Sequence, residues 1–109
     1  MTEVNVFYWT RKAIDDYIFD IFCNGKVKAN YIDRYYVNVF NDTIPLTSSN
    51  DYLLEELFAN FNSEGNPLQS KEKQDLIREN RSHTSMMVGD IIKLNETYYV
   101  VSTLGFQKI

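Results

Sequence analysis

The chain has 109 residues, of which 44% are hydrophobic, 15% aromatic and 24% charged, and its formal net charge is −4. This composition is typical of one globular domain that fills a core without disulfides or metal ions, and it argues against an intrinsically disordered chain. The excess of acidic residues argues against a phosphate-binding track, and the single cysteine, Cys23, excludes an internal disulfide.

The ends and apolar stretches of the sequence indicate the compartment. The first residues lack the basic start and apolar run of a signal peptide, and no apolar stretch approaches the length that spans a bilayer. We therefore expect a cytoplasmic protein that does not associate with membranes.

The first 25 residues predict a strand followed by a helix. Residues 3–9 alternate between apolar and other side chains and predict a strand, after which Thr10 is placed to cap a helix. Apolar residues then recur at spacings of three and four, which is typical of one amphipathic helix that ends at Asn24-Gly25. These apolar residues are Ile14, Tyr17, Ile18, Ile21 and Phe22.

The middle of the chain predicts a strand and two further helices. Residues 34–40 alternate and predict a second strand, while the alternation over 27–31 leaves an earlier strand open. A helix is predicted over 51–61, and a weaker one over 70–79 within a charged stretch. The helix over 51–61 has an apolar face made of Leu53, Leu54, Leu57, Phe58 and Phe61.

The last quarter of the chain predicts β structure. Residues 90–94 and 97–102 flank Asn95-Glu96, which is the spacing of a β-hairpin, and a short strand over 106–109 follows Gly105. The chain is therefore predicted to be a single α+β domain over 1–109. We expect a small antiparallel or mixed sheet with two to three helices packed mainly on one face, a C-terminal β-hairpin, and a mobile charged insert at 63–80.

No residues of the sequence are assigned to catalysis, a metal or a cofactor. His83 lies near several hydroxyl residues, but side chains this close in an extended segment point to alternate sides, and no G-x-S-x-G turn is present. One His and one Cys are too few for a zinc site. The hydroxyls and Arg81 are interpreted as partners of the backbone where the chain enters the sheet, with Gly89 and Asp90 shaping a turn.

Three pieces of the C-terminal half follow a distinctive spacing. They are Arg81-Ser82 with 85–92, Tyr98-Tyr99-Val100 and Gly105-Phe106, and an L-F-x-x-F-N segment over 57–62 precedes them. In this spacing the stretch 53–109 resembles the YodL-like small proteins of phages, plasmids and conjugative elements, with 63–80 as an insert relative to many of them. The resemblance implies an origin in a mobile element and no established biochemical activity.

Two classes of function follow from these observations. The leading hypothesis is a non-enzymatic accessory protein of a phage or other mobile element that binds another protein, a host protein included, with inhibition of a host defence enzyme as a sharper version. The alternative is a nucleic-acid-binding module that uses the C-terminal hairpin, with aromatic residues stacked on bases and Arg81, Lys93 and Lys108 near phosphates. The residues assigned to binding are Arg81, His83, Ser85, Tyr98, Tyr99 and Phe106.

Self-association is a further expectation. A sheet with few strands has exposed edges, and Val100, Val101 and Phe106 are expected near one of them. The sequence therefore predicts a possible homodimer through a sheet edge.

Overall fold

The computed structural model describes residues 1–45, 49–63, 66–68, 70–78, 84–103 and 105–109. These residues form one antiparallel sheet of five strands in the order β2-β1-β3-β4-β5. The strands are β1 (Thr2–Trp9), β2 (Tyr36–Ile44), β3 (Ile91–Leu94), β4 (Thr97–Ser102) and β5 (Gly105–Lys108). The α+β class, the antiparallel sheet and the C-terminal hairpin are confirmed.

Helices connect the strands in two groups. Three short helices lie between β1 and β2, and the described residues between β2 and β3 form two more. They are α1 (Arg11–Asp15), α2 (Phe19–Cys23), α3 (Ala29–Tyr35), α4 (Asn50–Phe61) and α5 (Lys71–Arg78). Among the described residues no helix combines the length and the apolar character needed to cross a membrane.

The two groups of helices cover opposite faces of the sheet, which differs from the expectation that helices pack mainly on one face. Val4, Val6 and Tyr8 of β1 belong to a core that includes α4 and α5. Trp9 and the half-buried Phe7 belong to a second core that includes α1, α2 and α3. Successive residues of a strand point to opposite faces of the sheet. Because β1 has apolar residues at both odd and even positions, both faces need to be covered.

The segment between β1 and β2 also differs from its prediction. The helix predicted to run continuously to Asn24-Gly25 is divided into α1 and α2, and the strand left open over 27–31 is part of α3 instead. Thr10 does not cap α1 with its side chain; its hydroxyl donates to the carbonyl of Tyr35 at 3.0 Å. The hydroxyl therefore ties the end of β1 to the end of α3.

Strand β2 is longer than predicted. It continues through Asn41-Asp42 to Ile44, because the whole of β1 pairs with it and Thr2 lies opposite Ile44. Two polar residues with turn propensity are thus held in a strand by a partner that the local sequence does not reveal.

Three residues attach the described part of 63–80 to the core. Leu68 and Ile77 are fully buried in the core that contains α4. The side-chain amide of Asn66 donates to the backbone carbonyls of Phe61 at 2.8 Å and Thr84 at 3.1 Å, which joins the two sides of the segment. These contacts make Asn66 a structural residue.

The C-terminal hairpin follows its predicted spacing, and its tight turn places Asn95 in the left-handed region at φ 54°. Val100 and Val101, expected near an edge, are instead buried inside the sheet, because β5 pairs with β4 and forms the edge itself. Of the three residues, Phe106 alone lies in the edge strand.

Candidate functional site

The residues assigned to binding from the sequence do not form one surface. Arg81 and His83 lie outside the described residues, and Ser85 is half-buried. Tyr98 and Tyr99 are successive residues of β4 and pack against different cores on opposite faces of the sheet. Phe106 lies with Tyr99 on the face covered by α4, where its ring centroid is 6.2 Å from that of Phe58. The hairpin therefore cannot present these three aromatic rings to a single strand of nucleic acid.

The turn that contains Gly89 and Asp90 has the structural role expected for it. Asp90 is fully buried, and its two carboxylate oxygens accept hydrogen bonds from the backbone amides of Trp9 at 3.1 Å and Met87 at 2.7 Å. The Tyr36 hydroxyl donates to the carbonyl of Gly89 at 2.6 Å. Burial, reinforced by the nearby Asp90 and Cys23, raises the pKa of Tyr36 far above its ordinary value, so the phenol stays a hydrogen-bond donor.

Cys23 does not have the surroundings of a reactive thiol. It is half-buried, and burial together with the negative charges of Asp20 and Asp90 raises the pKa of the thiol. A raised pKa lowers the thiolate fraction at neutral pH, and the thiolate is the nucleophilic form. Within the described ranges, no three His, Cys, Asp or Glu side chains are grouped as they would be around a metal ion.

The end of α1 is the most unusual local geometry in the described chain. The amide of Ile18 donates to the carbonyl of Ala13, and the amide of Tyr17 donates to the carbonyl of Ile14, both at 3.0 Å. This pair of bonds is the Schellman motif, in which the first residue after the C-cap adopts a left-handed conformation. Here that residue is Tyr17, with φ 58°.

Helix α2 ends with the same motif but with glycine at the corresponding position. The amide of Lys26 donates to the carbonyl of Ile21 at 3.1 Å, and the amide of Gly25 donates to that of Phe22 at 2.9 Å. Gly25 has φ 78° and fulfils the prediction that a glycine ends this helical region. Glycine adopts positive φ without a steric penalty, whereas a residue with a β-carbon is strained there by roughly 1 to 2 kcal/mol.

The strained tyrosine is at the centre of an exposed apolar surface. Tyr17 is 94% exposed and Ile14 is 48% exposed, and together with Phe19 they line a shallow depression of about 280 Å³. Asp20 adds a carboxylate to its border. We call the three apolar residues Ile14, Tyr17 and Phe19 the α1–α2 patch.

The α1–α2 patch is supported by the core beneath it. The half-buried ring of Phe19 packs against the ring of Trp9, with the centroids 4.5 Å apart. Ala13 and Ile18, which flank the exposed residues in sequence, are buried in the same core. The exposed side chains therefore project from a backbone whose neighbouring residues are packed.

This surface is not apparent in the sequence, because the spacing of the five apolar residues predicts that all of them lie on one buried face. A continuous helix would place them along one stripe. The turn at Tyr17 ends the first helix, so Ile18 and Phe22 remain buried while Ile14, Tyr17 and Ile21 are exposed. A tyrosine at a helix end gives no local signal, because the residue expected at a left-handed position is glycine or asparagine.

A search of curated proteins identifies a relative in a virus. The chain is 32% identical over 109 residues to "Uncharacterized protein R785" of Acanthamoeba polyphaga mimivirus, and the match covers 100% of this chain and 94% of the relative. No family model matches the chain, and no solved structure matches it either. The resemblance to the YodL-like proteins accordingly stays an expectation.

Proposed function

The chain belongs to the same family as the mimivirus protein, and on that basis we propose that it is a non-enzymatic accessory protein of a virus or other mobile element whose partner protein docks on the α1–α2 patch. The viral relative supports an origin in a virus or another mobile element. The observation that carries the docking site is the tyrosine at the left-handed position of α1, where the same chain uses glycine at the end of α2.

The side chain of Tyr17 destabilises the turn without contributing to the core. Tyr17 is almost fully exposed, so its ring gains little from burial in this chain, while its backbone is strained. Strained residues of this kind are found at functional sites. A bound partner would bury the ring, and the free energy of that burial would offset the strain.

The chemistry of the α1–α2 patch suits protein recognition. Tyrosine is enriched among the residues that dominate binding energy, because its large ring has few rotatable bonds and a polar end. The neighbouring Ile14 and Phe19 add apolar area, and the packed backbone limits the ordering entropy on binding.

Replacing Tyr17 with glycine tests the proposal because stability and binding should change in opposite directions. We expect Tyr17→Gly to raise the free energy of unfolding by roughly 0.5 to 1 kcal/mol, since strain is removed at some cost in chain entropy. We expect the same change to weaken partner binding by about thirtyfold or more, as loss of a central aromatic residue does. Urea denaturation measures the first quantity, and capture from a host lysate followed by titration of the captured protein measures the second.

The matched control is Tyr52→Ala, which removes another exposed tyrosine, located on α4. It should leave partner binding unchanged. A wild-type chain that captures no partner, or a Tyr17→Gly chain that captures it as well as wild type does, contradicts the proposal. The identity of the captured protein decides whether the target is a host defence enzyme.

A nucleic-acid-binding function is the second candidate, and one observation favours it. On the sheet face opposite α4, the rings of Phe7 and Tyr98 lie 6.2 Å apart, and the ammonium of Lys93 lies 5.2 Å from the centre of the Tyr98 ring. Aromatic rings with a nearby cation are typical of surfaces that stack bases. The net charge of −4 opposes phosphate binding.

For this second candidate we expect no binding of a fluorescent single-stranded oligonucleotide in an anisotropy titration at low salt. Low salt favours phosphate contacts, so the condition gives the alternative its best opportunity. Binding that is weakened by Tyr98→Ala and Lys93→Ala but kept by Phe106→Ala would support the alternative over protein binding.

A further inference from the structure

A second cleft, of about 380 Å³, lies between α4 and the edge strand β2, on the opposite face of the sheet from the α1–α2 patch. Its floor is apolar, and two carboxylates and one side-chain amide lie at its border. The floor consists of Val4, Phe40, Ile44, Leu53, Leu57 and Phe61, and the border consists of Asp42, Glu56, Asn60 and Pro67.

The strand beside the cleft has an open edge. Strand β2 pairs with β1 on one side and has no neighbour on the other side among the described residues. Phe40, Asp42 and Ile44 alternate along it and point into the cleft. A β-bulge precedes this stretch, but from Phe40 to Ile44 the register with β1 is regular.

The hydrogen-bond pattern of β1 shows which backbone groups of β2 point outward. The amide and carbonyl of Glu3 both bond to Asn95, on the β3 side of β1. In an antiparallel sheet the bonding side alternates from residue to residue, so Thr43, opposite Glu3, directs its backbone away from β1, and Asn41 does the same. The Thr43 amide is occupied by the Asp42 carboxylate at 2.8 Å.

The charge of the cleft is unbalanced. Asp42 on the strand and Glu56 on the helix place carboxylates on both walls, and no Lys, Arg or His is among the described residues that line the cleft. Neither carboxylate forms an ion pair within the described part of the chain. A cation between the two walls would complement both, and electrostatic complementarity of this kind selects partners.

We propose that this cleft binds an extended segment of a partner protein, which adds a strand to β2 and places apolar side chains on the floor and a lysine or arginine between Asp42 and Glu56. An edge strand beside a helix is a recurring arrangement for peptide recognition, in which backbone bonds supply affinity and alternate side chains supply specificity. The segment would take over the Thr43 amide from Asp42, which frees that carboxylate to meet the cation. The proposal is independent of the α1–α2 patch.

Selection from a displayed library of short random peptides, with the full chain as bait, tests the proposal. We expect enriched peptides to combine apolar residues with lysine or arginine and to bind the purified chain in an anisotropy titration. Glu56→Lys should weaken that binding by about tenfold or more, because it places like charges together. Glu55→Lys, which changes the neighbouring exposed residue of α4 outside the cleft, is the matched control and should retain binding.

Two further measurements distinguish the possible outcomes. Hydrogen exchange at the backbone amide of Asn41 should slow when the selected peptide is added. Tyr17→Gly should bind the peptide as the wild type does, so this test remains valid even if no partner docks on the α1–α2 patch. The proposal is overturned if no peptide is enriched, if the enriched peptides lack cations, or if Glu56→Lys binds them normally. It is also overturned if light scattering shows a dimer that Glu56→Lys dissociates, because the occupant would then be a second copy of the chain.

Discussion

Replacement of Asp90 with alanine should lower the free energy of unfolding by about 3 kcal/mol. The buried carboxylate satisfies the amides of Trp9 and Met87, and a donor left without a partner in the interior costs about 1 to 3 kcal/mol. Removal of the buried charge recovers part of this loss, so the sum stays below the cost of two orphaned donors. Urea denaturation with fluorescence of Trp9 measures the change.

Asp90→Asn separates the two contributions to this loss. Asparagine keeps one oxygen acceptor but turns an NH₂ group toward the other donor. We therefore expect the free energy of unfolding of Asp90→Asn to lie between those of the wild type and Asp90→Ala. Stability of Asp90→Ala within about 0.5 kcal/mol of wild type would show that the turn does not need the carboxylate.

Substitution of Gly89 by alanine should cost about 2 to 3 kcal/mol through two separable effects. Gly89 has φ 95°, a conformation in which a β-carbon is strained. An added β-carbon would also lie 3.2 Å from Cδ1 of Trp9, so this ring must shift by a few tenths of an ångström, while Cε1 of Phe19 at 3.4 Å is in ordinary van der Waals contact. Thermal or urea unfolding measures the loss.

Gly105→Ala is the matched control for the backbone effect alone. Gly105 has a similar φ of 108°, but an added β-carbon would meet no atom within 4 Å. We expect Gly105→Ala to cost about 1 kcal/mol, and the difference between the two variants measures the packing around Trp9 and Phe19. Equal losses of stability for both variants would mean that the Trp9 ring accommodates the methyl group at position 89 without a free-energy cost. Because the ring of Trp9 packs against Phe19 of the α1–α2 patch, Gly89→Ala should also weaken partner binding.

The elements that the sequence predicted well are those with an unambiguous local pattern. Strand β1 is a short run rich in β-branched and aromatic residues, and helix α4 has a single apolar periodicity. Ser49 caps α4 by accepting a hydrogen bond from the backbone amide of Tyr52. The C-terminal hairpin follows from the two-residue spacing at Asn95-Glu96. In these elements the local preference and the tertiary packing agree, which is the usual condition for a correct prediction.

The candidate sites depend on relations between distant residues. The sequence selected Tyr98, Tyr99 and Phe106 because they are aromatic and close in the chain, but strand alternation separates Tyr98 from the other two. The cleft beside β2 joins Asp42 with Glu56 across two elements, and no short motif records that juxtaposition.

The fold class, the apolar faces of the long elements and the glycine that ends α2 could be predicted from the sequence, because they follow from side-chain periodicity and from the conformational freedom of glycine. The order of the strands, the cover of both faces by helices and the turn at Tyr17 depend instead on contacts between distant residues. The physical reason is that burial of Ala13, Ile18 and Phe22 against Trp9 favours the turn over a continuous helix. Packing against distant residues thus outweighs the local strain of the tyrosine, and that strain is invisible in the sequence.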